Sequence, residues 1–218
     1  MGAFDGVSRF FGKPLDKVAA KLMYTDDNIL ILSGKETELK ERYPDIYSNM
    51  MSCRHQADGR PSLEYAKDLV ASWLIEDYFS TILQSHYYSL ELSGADRNRK
   101  ILPSARTSAS SDYLIRTNDI SIKLELMNDY TGFWRKTHKL HLRDNKYIQL
   151  KKSGSLFIAI ATPSSEFALY DFRETIPARY IPEHRSYGGK PVYELDIPSS
   201  MLIPITKTSM KQEILKHL

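Results

Sequence analysis

The chain has 218 residues, 42% hydrophobic and 26% charged, which suits a globular protein of one domain with a sizeable core. No run approaches the roughly 18 apolar residues of a membrane-spanning helix, and the single cysteine, Cys53, excludes an intrachain disulfide and a cysteine-rich zinc site. The net charge of +3 is too small to indicate a nucleic-acid-binding protein by itself. Because the first residues lack a signal-peptide pattern, we expect an intracellular, cytoplasmic protein.

The first 60 residues have helical patterns that the sequence divides into short pieces. Residues 14–24 show helical spacing, and Pro14 suits a first turn. Residues 36–47 are predicted to be helical in part, with an interruption at Pro44. The stretch 58–61, Asp-Gly-Arg-Pro, predicts a break before the next helix.

The longest predicted helix covers roughly 62–84, with Ser62 as its N-cap. Its apolar stripe consists of Leu63, Ala66, Leu69, Val70, Trp73, Leu74, Tyr78 and Ile82. Residues 86–92 then predict a strand, and a polar, basic loop follows at 94–100.

A short hairpin comes next and carries the most informative pair of residues. The predicted strands cover 111–116 and 120–127, with a polar turn at 117–119. Such a hairpin brings Asp112 and Glu125 together at the edge of a sheet. Two carboxylates at close range repel each other unless a hard cation lies between them, which indicates Mg²⁺ or Mn²⁺. Phosphodiester hydrolysis often uses such a pair; the alternative is two solvent-facing strand residues.

A basic stretch that also contains aromatic residues follows at 131–152. It is predicted to be helical over about 140–152 and to end at Ser153-Gly154. Its cations are Arg135, Lys136, Lys139, Arg143, Lys146, Lys151 and Lys152, opposed by the single acid Asp144. Its rings are Phe133, Trp134, His138, His141 and Tyr147. The stretch favours phosphate neutralisation with stacking; the alternative is a solvated helix whose aromatic residues pack into the core. We expect the two histidines to be surface or DNA-contacting residues.

The last third completes an α/β pattern. Residues 155–161 form a continuous apolar run, which predicts a central strand covered on both faces. Residues 167–172 predict another strand, and the proline-rich stretch 177–191 predicts a loop. Residues 192–197 predict an edge strand, and 208–217 a terminal helix. Helices that alternate with strands in this way predict a central mixed sheet flanked by helical layers.

The element order and the acidic pair resemble the PD-(D/E)XK nuclease superfamily, the fold of most type II restriction endonucleases. The resemblance covers roughly 62–172 and implies an αβββαβ core. It also implies a metal-dependent phosphodiesterase in which Asp112 and Glu125 bind Mg²⁺, with Mn²⁺ as an alternative. An acid on the preceding helix often assists in this family, and Glu76 is the best-placed residue for that role.

The chain departs from the family pattern at two positions. No proline precedes Asp112, and Met127 occupies the place of the lysine that would orient the attacking water and neutralise developing charge. The resemblance implies that another lysine takes over this function. The candidates are Lys139, Lys146 and Lys123, the last on the same strand face as the second acid.

The resemblance further implies one nuclease-like domain, with an accessory segment at 1–60, a catalytic core at 61–172 and an extension at 173–218. Double-stranded DNA is the expected partner, and a homodimer is expected because symmetric cutting of two strands needs two sites related by a two-fold axis. The expected nucleic-acid contacts are Arg97, Arg99, Lys100, Arg106, Arg135, Lys136, His138, Arg143, Lys151 and Lys152.

Other functions remain open at this level. A structure-selective, repair, phage or RNA-directed nuclease would have the same fold. Met127 at the lysine position favours a catalytically weakened nucleic-acid-binding protein. A protein-interaction module is the third class.

Overall fold

A computed structural model describes residues 40–41, 44–52, 76, 79–80, 82–93, 111–129, 131–161 and 164–218. The predicted helix at 14–24, most of the predicted helix at 62–84 and the basic loop at 94–100 lie outside the described residues, as does Arg106.

Nine strands and four α-helices have defined bounds within the described residues, besides helical residues at 40–41, 76, 79–80 and 82–83. The strands are β1 (Ser89–Leu92), β2 (Tyr113–Arg116), β3 (Ser121–Asp129), β4 (Lys139–Arg143), β5 (Leu156–Ala161), β6 (Glu166–Asp171), β7 (Ala178–His184), β8 (Lys190–Asp196) and β9 (Ile203–Pro204). The helices are α1 (Pro44–Ser52), α2 (Phe133–Thr137), α3 (Asp144–Ser153) and α4 (Lys207–Leu215). None of these helices is both long and apolar enough to cross a bilayer.

Six strands form a mixed sheet in the order β1-β2-β3-β5-β6-β9. Strands β3 and β5 are parallel, and the other neighbouring pairs are antiparallel. Every residue of β5 is buried, as its continuous apolar sequence predicts for a strand covered on both faces. The predicted α/β fold with a central mixed sheet is therefore confirmed.

The second sheet has three antiparallel strands in the order β4-β8-β7, and it corrects one prediction. Residues 140–152 were expected to form one helix, but residues up to Arg143 belong to β4, and α3 begins only at Asp144. In β4 the core residues Leu140 and Leu142 alternate with His141, a period of two that fits a strand. The predicted end of the helix is confirmed: Gly154 follows in the left-handed conformation, φ 58°.

Two further predictions in this sheet are wrong. The stretch 177–191 is not a loop, because most of it forms β7, a one-turn 3-10 helix at Arg185–Tyr187 and the start of β8. Pro182 is tolerated because β7 is an edge strand with an irregular register between Ile181 and His184. Strand β8 lies in the middle of its sheet and not at the edge.

The core lies between the two sheets and α3. Leu140 and Leu142 of the small sheet, Leu150 of α3 and Phe157 of β5 belong to one buried cluster. The helical residue Glu76 is held against β2, because the Tyr113 hydroxyl donates to its backbone carbonyl. The helical segment at Glu76 therefore contacts β2, and α3 packs with β5. Strands β2 and β5 are the two neighbours of β3, the strand that carries Glu125.

Candidate active site

The register of the β2–β3 hairpin brings the two predicted acids together. The ladder ends at the pair Tyr113 and Leu124, and the residues one step beyond that pair are Asp112 and Glu125. The Asp112 Oδ2 atom accepts a hydrogen bond of 2.7 Å from the backbone N–H of Leu126. This bond fixes the Asp112 carboxylate beside β3, one residue from Glu125.

The Glu125 carboxyl group is buried, with only 5% of the residue exposed. Its pKa is raised to about 8, chiefly by burial and in addition by the charge of Asp112. Lys146 acts in the opposite direction by charge and by a hydrogen bond, and Glu76 adds a smaller rise. The two larger effects that raise the pKa disfavour the ionised acid, since burial removes water and a second carboxylate repels it.

Lys146 provides the cation of the site. Its ammonium group contacts the Glu125 Oε1 atom directly. The residue stands in the first turn of α3, which precedes β5, the parallel neighbour of β3. Met127, at the position where the family has its lysine, instead packs against the buried cluster.

The other two candidate lysines are placed differently. The Lys139 ammonium contacts Asp196 and lies 3.7 Å from a Glu194 carboxylate oxygen, and both acids belong to β8. Lys123 is exposed on β3 and makes no ion pair with a described residue. Of the three candidates, Lys146 is the one in contact with Glu125.

Glu76 is a third acid near the pair. Only 9% of the residue is exposed, and its charge raises the pKa of Glu125. The prediction that this helix residue supports the site stays a prediction, although the structure places it within electrostatic reach of the pair.

The donor chemistry of these residues fits a hard divalent cation. Carboxylate oxygens are the ligands that Mg²⁺ prefers, and a cation between Glu125 and Asp112 relieves the repulsion that raises the Glu125 pKa. Within the described part of the chain, no three His, Cys, Asp or Glu residues already stand in a metal-holding arrangement.

The predicted nucleic-acid contacts divide into two sets. Arg135 is engaged by Glu166 at 3.0 Å and by the Ser199 hydroxyl at 2.8 Å. Of the other predicted contacts, four are exposed and make no ion pair with any described residue: Lys136, Arg143, Lys151 and Lys152. His138 is exposed and ends α2 in the left-handed conformation. The predictions for Arg97, Arg99, Lys100 and Arg106 lie outside the described residues.

One residue differs from its expected role, and a second was not predicted. His141 is not at the surface: it is 8% exposed, and its Nε2 atom lies 3.0 Å from Glu194. Asp129, which the sequence analysis did not select, is a buried acid that accepts hydrogen bonds of 2.8 Å from the backbone N–H groups of Thr131 and Trp134. The Asp-x-Thr spacing before a helix was the available signal for this role.

No protein-family model matches the chain, and no curated protein matches it.

Proposed function

We propose that the chain is a metal-dependent phosphodiesterase that cuts nucleic acid, with double-stranded DNA as its substrate. The observation that carries the proposal is the state of Glu125, a buried acid beside a second carboxylate and in contact with a lysine. Burying a charge next to a like charge is costly, so a fold keeps such a group when it serves a purpose.

A purely structural ion pair is the simplest competing explanation for Glu125 and Lys146. A buried pair contributes little net stability, because the cost of removing both charges from water offsets their attraction. Asp112 adds repulsion that a structural pair would not need, and its carboxylate is held in place by the Leu126 N–H. The arrangement is better suited to holding a cation than to stabilising the fold.

Each residue has a distinct role in the proposed reaction. Asp112 and Glu125 would hold the divalent ion, and Glu76 would support them by its charge. A bound Mg²⁺ supplies a water of lowered pKa and stabilises negative charge on the phosphate. Lys146 orients the attacking water and neutralises charge that develops on the phosphate, the task that the strand lysine performs in the PD-(D/E)XK nucleases.

The free cations support a polyanionic substrate. Lys151 and Lys152 lie in the last turn of α3, the helix that carries Lys146 in its first turn, and Arg143 directly precedes that helix. All three are exposed and make no ion pair with described residues, so they are available for phosphates. We further propose a restriction-type endonuclease that acts as a homodimer, because two-strand cutting needs two symmetric sites.

The test is incubation of supercoiled plasmid with the full chain in Mg²⁺, Mn²⁺, Ca²⁺ or EDTA. The proposal requires nicked or linear products with Mg²⁺ or Mn²⁺ and none with EDTA. Discrete fragments support a sequence-specific enzyme, and a smear supports a general nuclease. Intact plasmid under all four conditions contradicts the proposal.

A nucleic-acid-binding protein without activity is the second candidate. Two observations favour it: Met127 at the lysine position, and the absence of a ready three-residue metal group within the described residues. This candidate predicts salt-sensitive retention of DNA on a gel together with intact plasmid in every metal.

A further inference from the structure

A cavity of about 470 Å³ opens beside the end of β3. Its walls come from the end of β3, from α2, from β4, and from the end of β7 with the segment that joins it to β8. The volume lies within the range of about 300–1,000 Å³ that is typical of small-molecule sites. Asn128 lines the cavity three residues beyond Glu125, which corresponds to about 10 Å along the strand.

Four rings form a continuous series along one side of the cavity. Phe133 and His141 have ring centroids 5.5 Å apart, His141 and His184 are 4.4 Å apart, and His184 and Tyr187 are 5.3 Å apart. The Phe133 residue is 41% exposed. Its exposed ring gives the cavity a face on which a planar ligand can stack.

Two of these residues are held firmly by their own hydrogen bonds. The His141 Nε2 atom lies 3.0 Å from the Glu194 carboxylate, and the Tyr187 hydroxyl donates to the His141 backbone carbonyl at 3.0 Å. The wall is therefore fixed in position before a ligand arrives, which lowers the entropy cost of binding.

Other polar groups of the cavity have hydrogen-bonding donors or acceptors that are not yet used. The His184 Nδ1 atom is inaccessible to solvent and has no hydrogen-bond partner in the described part of the chain. Burial and the neighbouring His141 lower the pKa of His184, so its ring is neutral near pH 7 and Nδ1 can donate or accept. The side chains of Asn128 and Ser186 also make no hydrogen bond to any described residue.

The chemistry of the lining excludes two ligand classes. No lysine or arginine is among the described residues that line the cavity, and Asp129 is, so a phosphate or carboxylate group inside the cavity is a poor fit. A nucleotide would therefore keep its phosphate outside this lining. Within the described residues, His141, His184 and Glu194 do not form a group that could hold a metal ion. A neutral, planar ligand with donors and acceptors on its edge fits best.

We propose that this cavity binds a planar nitrogen heterocycle of the nucleobase class, stacked on Phe133 and hydrogen-bonded by Asn128, Ser186 and His184. Nucleobases combine an aromatic face with a polar edge, the two features that these residues complement. This part of the inference rests on the proposed function: the base belongs to a nucleotide of the substrate strand. That nucleotide is unstacked and lies next to the phosphate at Asp112 and Glu125.

The first experiment measures the binding of free nucleoside monophosphates (AMP, GMP, CMP and TMP) to the full chain by calorimetry. Phe133→Ala removes the stacking ring, and His184→Phe keeps a ring but removes the nitrogen. Phe133→Ala is expected to weaken the best-bound nucleotide at least about fivefold, the lower end of the effect of removing one ring on which a base stacks. His184→Phe is expected to weaken it about fivefold, the typical effect of losing one hydrogen bond. Tyr87→Ala, at a 74% exposed residue outside the cavity lining, is the control and is expected to bind as the parent does.

The second experiment separates the two sources of the base. A fluorescent single-stranded oligonucleotide is titrated in Ca²⁺, and the same variants are compared. A decrease in affinity of at least about fivefold with Phe133→Ala supports a substrate base. A decrease confined to free nucleotides overturns the substrate-base assignment and leaves a nucleotide site.

The outcomes also separate this inference from the proposed function. One outcome is that the parent cuts plasmid in Mg²⁺, while Phe133→Ala and His184→Phe bind nucleotides and the oligonucleotide with the same affinity as the parent. The cavity is then not a base site, and the proposed nuclease function is unaffected. If nucleotides bind as expected but no metal supports cutting, the cavity stands and the proposed function fails.

Discussion

Lys146 contacts the acidic pair from a helix and not from the strand that carries Glu125. It stands on α3, and its ammonium contacts Glu125. The sequence narrowed the choice to three lysines but did not select one, because the selection depends on how α3 packs beside β3. That packing is a tertiary property, and no spacing along the chain encodes it.

Lys146→Met is therefore expected to lower the rate of DNA cleavage by roughly 100-fold or more, as removal of one charge-stabilising group typically does. Lys139→Met is the matched control, since that lysine pairs with Asp196 of the second sheet. The measurement is the cleavage rate at saturating Mg²⁺. Equal decreases in both variants would exclude a specific role for Lys146.

The raised pKa of Glu125 gives a pH dependence of stability. The folded state holds this proton up to about pH 8, whereas an ordinary glutamate loses it near pH 4.5. The contribution of Glu125 to stability is thus fully present below about pH 4.5 and is lost as the pH rises through 8. Each pH unit across which only the folded state keeps the proton is worth about 1.4 kcal/mol.

Glu125→Gln mimics the protonated acid and should remove this pH-dependent decrease. In EDTA, urea unfolding should show that the variant gains on the order of a few kcal/mol relative to the parent between pH 5 and pH 8.5. Mg²⁺ should stabilise the parent at pH 8 but not the variant, because binding requires the carboxylate. A parent whose stability does not fall over this pH range more than that of Glu125→Gln contradicts the assignment.

At the scale of elements, the sequence predicted the parts with strong local signals. The hairpin that carries Asp112 and Glu125, the buried strand β5 and the end of α3 at Gly154 are all as expected. In β4 only two leucines alternate with a polar residue, and the charged segment that forms α3 follows directly. The sequence pattern therefore favours a single helix over 140–152. Tertiary contact with β8 selects the strand there.

Strand β7 was missed for a related reason. It is largely exposed and contains Pro182, so it has neither the apolar alternation nor the composition of a typical strand. It exists because β8 offers an edge with which to pair, and the irregular register accommodates the proline. The strand conformation of β7 is therefore determined by its partner β8 and cannot be predicted from the sequence of β7 alone.

The junction between α3 and β5 gives a test of element geometry. Gly154 and Gly188 both have positive φ, 58° and 64°, and each should lose roughly 1 kcal/mol of unfolding free energy when changed to alanine. A Cβ atom at Gly154 would also meet the Arg173 Cγ atom at 3.1 Å, whereas at Gly188 it would meet nothing within 4 Å. Gly154→Ala should therefore be the more destabilised variant in urea unfolding. The reverse order would show that Arg173 moves aside at no cost.

At the scale of the molecule, the second sheet and α3 cover the face of the central sheet that includes Phe157. The free cations of α2, β4 and α3 are spread over several elements, so the sequence cluster at 131–152 is not one helical surface. The sequence pattern of β4 predicts a helix, so the separation of these cations cannot be predicted from the sequence.

If these cations meet phosphates, DNA affinity will fall steeply with salt. The double variant Lys151→Ala with Lys152→Ala should reduce the slope of log affinity against log salt by about 1 to 2, since each phosphate that a cation neutralises adds about 0.9 to the slope. The control is Lys207→Ala with Lys216→Ala at the two ends of α4. The measurement is fluorescence anisotropy at several salt concentrations in Ca²⁺. An unchanged slope for the α3 variant places the DNA elsewhere on the molecule.

The central claim is that a divalent cation held by the hairpin acids drives phosphodiester cleavage. The most direct measurement compares the Mg²⁺-dependent cleavage rates of the parent, Asp112→Asn, Glu125→Gln and Asp119→Asn. Asp119 is an exposed acid in the turn of the same hairpin, so its variant controls for charge and for damage to the fold. We expect the first two variants to cut at least about 1,000-fold more slowly, with DNA binding retained, and Asp119→Asn to match the parent. Cleavage by Asp112→Asn and Glu125→Gln at the parent rate would contradict the account.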